Sequence, residues 1–224
     1  MKLHHYATAA LALSGALAAP AAAQVNGIAI TDPAVAIAGS QALQGAYGQI
    51  GTTFQAQITQ IGQLQQQRDA LVRPFDTDGN GQLSEAEQAA YQANTAAQQQ
   101  IAGVEQQIAQ VQQPITQARV YALEQIVLQF NPAMQQVISD KGIQLILTPQ
   151  AAVYAAEPVD VTDEIVAALN ARVPSVSTAV PQGWQPQRQS VSLYQEVQQI
   201  LVQAAMQQQQ AASAAQPQPP VEGR

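Results

Sequence analysis

The chain of 224 residues is 47% hydrophobic but only 4% aromatic and 10% charged, and much of the apolar share is alanine, so a large mixed core of the enzyme kind is disfavoured. With no cysteine, disulfide staples, thiolate metal sites, cysteine nucleophiles and a lipid-anchored N-terminal cysteine are excluded. The formal net charge of -7 argues against non-specific binding of nucleic acid or anionic membranes.

Lys2, His4 and His5 precede an apolar run from Ala7 to Ala19, and Pro20 is followed by Ala21, Ala22 and Ala23. A basic start, an apolar stretch too short to span a bilayer and small residues before a cleavage point predict a secretory signal, cut after Ala23. Both histidines lie in this segment, so the mature chain has no histidine chemistry. Removing Lys2 leaves 7 basic against 15 acidic residues, a net charge of -8. The mature protein is expected to be exported, without a transmembrane segment.

Val25 to Thr31 is β-branched and stops at Asp32-Pro33, which predicts one strand. A helical pattern follows. Tyr47, Ile50, Phe54, Gln57, Ile61, Leu64, Arg68, Leu71 and Phe75 fall alternately three and four apart, a heptad seam. As one helix from Ala34 to Phe75 it would be on the order of 60 Å long. A second seam runs through Ile101, Val104, Ile108, Val111, Ile115 and Ala118, then slips to Leu123, Ile126 and Phe130. Pro114, beside the slip, predicts a kink. Asn131-Pro132 reads as the cap of a last short helix, ended by Gly142.

Two seams along one chain predict an antiparallel hairpin. Ile143 to Thr148 and Ala152 to Ala155 read as two strands, and Thr162 as the N-cap of a helix to about Ala171. Since neither end of the hairpin carries a stable strand alone, the strands are expected to meet. The expected fold class is α+β, with a small β head (24–35 and 138–172) and a helical hairpin arm (36–137). A linker (173–189) anchored by Trp184, an amphipathic helix (190–206) and a disordered tail (207–224) complete the organisation.

Between the seams, Asp76 to Glu87 fills every position of an EF-hand loop. Calcium takes six to eight oxygens. Asp76, Asp78 and Asn80 supply side-chain oxygens, and Gly81 the sharp turn. Gln82 offers its carbonyl, Ser84 acts directly or through water, and Glu87 gives the bidentate carboxylate. The bland alternative is a polar turn with Ser84 and Glu87 forming a capping box, which is compatible in geometry. A lone EF-hand predicts weak affinity, a dissociation constant of about 10⁻⁴–10⁻³ M. The loop is expected to be the arm tip, with reversal near Asn94 as the alternative.

The order of strand, long hairpin, strand pair and Asp-x-Thr-opened helix resembles the Skp/OmpH family of periplasmic chaperones. Val137 to Gly142, Ile143 to Leu147, Ala152-Val153-Tyr154 and Asp160 to Val166 carry the resemblance, together with Gly27 to Ile30. It implies a homotrimer whose arms enclose unfolded outer-membrane proteins, an ATP-independent holdase without catalysis. The acidic charge departs from basic relatives and speaks against lipopolysaccharide or anionic-lipid binding. The alternative function is a calcium-binding periplasmic scaffold or adaptor with a fixed partner. An enzyme is not expected, because Asp160, Asp163 and Glu164 are explained by a helix N-terminus.

Overall fold

The computed structural model describes residues 27–154 and 159–214. The proposed signal segment, Ala155 and the tail beyond 214 lie outside the described residues. β1 (Ile28–Ile30) is followed by α1 (Pro33–Ala38), α2 (Gln41–Thr53), α3 (Gln55–Val72), α4 (Glu85–Ala93) and α5 (Thr95–Lys141). Then come β2 (Leu145–Leu147), α6 (Thr162–Arg172) and α7 (Arg188–Ala214).

β1 and β2 pair in parallel, with Ile28 opposite Leu145 and Ile30 opposite Leu147. On the other edge of β1, Ile30 bridges to Asp160. Gly27 (φ 112°) receives the returning chain, its carbonyl accepting from the N–H of Gln144 at 2.7 Å and of Leu145 at 2.8 Å. The Thr31 and Thr162 hydroxyls meet at 3.3 Å, and Thr162 Oγ1 accepts from the Asp32 N–H at 3.2 Å. Thr162 is therefore not the N-cap of α6. Its hydroxyl faces inward, and Asp160 accepts from its N–H at 2.8 Å instead.

The outgoing strand-to-tip helix is broken twice rather than continuous. Asp32 caps α1, accepting from Ala34 and Val35; Gly39 ends it and Ser40 caps α2. A second break falls at Phe54. The seam itself survives the breaks, since Ile50 and Leu64 are buried and the other seam residues half-buried.

The returning helix differs in the opposite sense. α5 runs unbroken for 47 residues through both Pro114 and Pro132, so Asn131-Pro132 opens no separate helix. An interior proline costs about 3 kcal/mol. Phe130, Ala133 and Val137 around Pro132, and Ile115 and Ala118 beside Pro114, are buried, and burying one large apolar side chain returns about 1.5–3 kcal/mol. Packing on the hub therefore outweighs the proline. Gly142 (φ 64°) ends α5, and the Ile143 N–H closes back on the Ile138 carbonyl at 3.0 Å. Lys141 pairs with Glu164, tying this end to α6 and holding the Glu164 carboxyl below its usual range.

Ala152-Val153-Tyr154 forms no strand. A 3₁₀ turn spans Pro149–Ala151, and Val153 and Tyr154 beyond it are exposed. Asp160 takes the free edge of β1, and the segment does not pair with the outer edge of β2 among the described residues.

The main core lies where α1, α2, α5, α6 and α7 meet, around Ile37, Leu43, Leu123, Ile126, Ile165, Leu169 and Val197, each no more than 1% exposed. The linker turns back along α5. Ser177 and Gln125 exchange two hydrogen bonds, at 2.9 and 3.1 Å. Trp184 stacks edge-on against Tyr121, and its indole N–H donates to Glu124 at 3.4 Å. Trp184 thus anchors the linker by packing, but on α5 within the range assigned to the arm rather than on the head. α7 is longer than 190–206 and remains helical where a disordered tail was expected from 207 to 214. Its inward side is set by Ser190, Val197 and the Tyr47–Gln198 hydrogen bond at 3.1 Å, whereas Val191 and Ala204 face solvent.

Replacing the fully buried Leu123 by alanine should cost about 2–5 kcal/mol. The same change at Leu128, 61% exposed one turn on, should stay within about 0.5 kcal/mol. Urea titrations followed by circular dichroism measure both; equal effects would mean that the hub is not the stabilising core.

Candidate functional site

The arm is an antiparallel pair of helices, α3 against the first half of α5, closed at its far end by the loop 73–84 and α4. Its seam is narrow: Leu64, Ile101, Val104 and Ile115 are the buried large apolar residues of α3 and the first half of α5. The reversal at the tip is spread over two breaks in the helix. The chain leaves α3 at Val72, forms the loop and α4, and breaks again at Asn94, whose side chain caps α5 by accepting from Ala97 at 3.0 Å. Phe75 and Tyr91 hold loop and helix together in an edge-to-face contact, with centroids 5.4 Å apart.

Within the loop, Asp76, Asp78 and Glu87 bring carboxylate oxygens within 4.8 Å of one another. Gly79 and Gly81 have φ of 70° and 79°, a left-handed conformation that glycine adopts without strain. Asp76 accepts from the N–H groups of Asn80 (3.1 Å) and Gly81 (2.9 Å). Asp78 accepts from the Asn80 N–H at 3.1 Å and its Nδ2 at 2.7 Å. Asn80 Oδ1 in turn accepts from the Gln82 N–H at 2.7 Å. Every side chain of the candidate set except Gln82 therefore turns into the loop's own hydrogen bonding; Gln82 enters that network through its N–H.

Glu87 is the buried member. Its Oε1 accepts from the Thr77 N–H at 2.6 Å and hydroxyl at 2.5 Å, its Oε2 from the Ser84 N–H and hydroxyl, both at 2.9 Å. Ser84 and Glu87 form the capping box of α4. The Thr77 hydroxyl, then the backbone and hydroxyl of Ser84 and the Thr77 N–H, hold the Glu87 carboxyl down to about 2. Thr77 is the residue that sequence reasoning missed. It occupies the second loop position, outside the oxygen pattern, and only the fold shows both its donors turned to Glu87.

The donor set fits a hard divalent cation. A carboxylate accepts at about four lone-pair positions. Asp76 and Asp78 use only two each here, so both retain capacity, whereas Glu87 is saturated and would have to release the two hydroxyls to ligate. Three carboxylates this close also repel one another, a cost that a cation removes.

The head presents a different surface. The sheet has two strands, so the outer edge of β2 pairs with no strand among the described residues. Leu145 (48%), Val153 and Tyr154 (86%) are exposed there or in the segment just after it.

The profile of the family described as "Outer membrane protein (OmpH-like)" matches residues 27–169, and the chain belongs to that family. Among solved structures, a protein from Caulobacter crescentus CB15 described as an OmpH-like outer membrane chaperone, determined at 2.83 Å, aligns over 83% of this chain and 98% of its own. Identity there is 18% and the TM-score 0.44. No curated protein matches. The family match covers head and arm but not the linker and α7.

A carboxyl depressed below its unfolded value stabilises above the unfolded pKa and loses that contribution as pH falls through the folded one. The Glu87 contribution should therefore be complete above pH 4.5 and disappear as pH falls from 4.5 to about 2. The Thr77 amide resonance reads this directly: its acid midpoint should lie near 2, and a midpoint near 4.5 would mean the Thr77–Glu87 bond is absent in solution.

Proposed function

We propose that the protein is a periplasmic, ATP-independent holdase that keeps unfolded outer-membrane proteins from aggregating in a cavity between helical arms. Membership of the OmpH-like family, combined with an arm far longer than its own narrow seam requires, carries this reading. A two-helix arm that buries only one stripe and projects from the hub is built to work on something outside the chain. Unfolded barrel strands expose unpaired edges that aggregate unless they are kept apart. Among the described residues no helix is long and apolar enough to cross a membrane.

The enclosing cavity requires more than one copy. The open edge of β2 and the exposed Leu145, Val153 and Tyr154 support self-association through the head, and a homotrimer is the assembly that the family resemblance favours. Calcium at the tip is part of the same proposal. Asp76, Asp78, Asn80, the Gln82 carbonyl, Ser84 and Glu87 would hold it weakly and stiffen the junction of α3 and α4.

Dilution of a urea-denatured outer-membrane barrel protein into the mature chain, followed by light scattering in calcium and in EDTA, tests the function. Suppressed aggregation is expected in both, and suppression only in calcium would make the clasp essential. No suppression in either would favour a scaffold with a fixed partner. Glu87→Gln should abolish calcium binding by calorimetry while leaving the oligomer intact; loss of the oligomer in that variant would refute a clasp confined to the tip. Leu145→Asp should dissociate the assembly in analytical ultracentrifugation, and an unchanged mass would exclude the β2 edge as the interface.

A further inference from the structure

Charge is distributed unevenly along the arm. From Pro33 to Gln67 no residue is charged, and from Gln88 to Ala118 only Glu105 is. The 20 residues between, Arg68 to Glu87, carry seven charges. The shaft below the tip is thus almost neutral on both helices. The 13 uncharged residues of α3, Gln55 to Gln67, extend about 20 Å, roughly two Debye lengths at 0.1 M salt, so the tip's field fades along the shaft toward the head.

Nor is the shaft apolar outside its seam. Between Gln41 and Ala118, Ile58 is the one large hydrophobic residue exposed among the described residues. What both helices offer instead is amide. Gln60, Gln63 and Gln67 on α3 and Gln99, Gln106 and Gln110 on α5 are all exposed. Each glutamine carries two N–H donors and a carbonyl acceptor. Every non-proline residue of an unfolded chain carries the same two kinds of group in its backbone, whatever its side chain.

We infer that the shaft captures the extended backbone of an unfolded polypeptide through glutamine amides, without selecting the client's charge or apolar side chains. This rests on the holdase reading and specifies what the cavity wall recognises. A wall that recognised charged clients would need counter-charges, and one that recognised apolar side chains would need an exposed apolar stripe; the shaft has neither. Each amide contact competes with water and is weak, so the client is held by many exchanging contacts rather than at one site.

The test uses the full mature chain with two urea-denatured barrel proteins, one acidic and one basic, at about 20 and about 500 mM NaCl, which shortens the screening length several-fold. Scattering is normalised to each client alone at the same salt. The half-protective concentration should change by less than about threefold across salts and clients. A larger change with salt, or protection of one client only, overturns neutral recognition and leaves the holdase standing; no protection anywhere overturns both. A second arm replaces Gln60, Gln63, Gln106 and Gln110 by alanine, which favours the helix and so preserves the fold, as circular dichroism checks. Protection should weaken by at least threefold, on the order of four lost contact points. Equal or better protection would mean that apolar contact does the holding, and overturns the inference.

Discussion

The parallel pairing of β1 with β2 is the constraint on which the rest of the chain depends. Antiparallel strands can be joined by a tight turn, but parallel ones require the chain to travel away and return to the same end. Here that crossover is the whole helical hairpin: the chain leaves after Ile30, opposite Leu147, and must re-enter at Leu145, opposite Ile28. Gly27 and Gly142, both at positive φ, shape the point of return. A sheet of three residues per strand is too small to stand alone. It persists because the same crossover carries α5 back across the hub, burying Leu123, Ile126 and Ala133 completely.

The segment beyond the family match belongs to this hub. Val197 of α7 is fully buried in the same core as Ile37 and Ile165. The linker is fastened to α5 at two successive turns, by Gln125 and by the Tyr121–Trp184–Glu124 group. The Tyr47 hydroxyl, bonded to Gln198 on a ring that lies under the guanidinium of Arg119, is pushed above its usual pKa chiefly by burial. The junction of head and arm is therefore covered on one side by α7.

Much of this was legible in the sequence because periodicity reports burial directly. The heptad seams at Tyr47 to Phe75 and Ile101 to Phe130 fall on the residues that the arm and hub bury, and the strands at Ile28 and Leu145 meet as their composition suggested. What periodicity could not report was helix continuity. Gly39-Ser40 is a stop followed by a cap, hidden by the regular spacing on either side. Pro132 reads locally as a start, yet burial of Phe130, Ala133 and Val137 overrides it. Ala152-Val153-Tyr154 has strand composition but pairs with neither strand among the described residues, and composition says nothing about neighbours. At the tip, the sequence named the oxygen donors and the Ser84–Glu87 capping box, but not that Thr77 turns both its donors to Glu87 as well.

The break at Asn94, between α4 and α5, also makes the tip modular. Leu71 at the end of α3 and Gln99 and Gln100 near the start of α5 line one groove, so the two shafts are already side by side below the tip. Everything from Arg73 to Asn94 is an excursion between ends that a helix–helix connection of roughly 2–8 residues ordinarily joins. Evolution can therefore add, replace or delete such a cassette without altering the crossover that holds the head together. The same junction offers a graft point at which a foreign loop would be displayed at the far end of the arm.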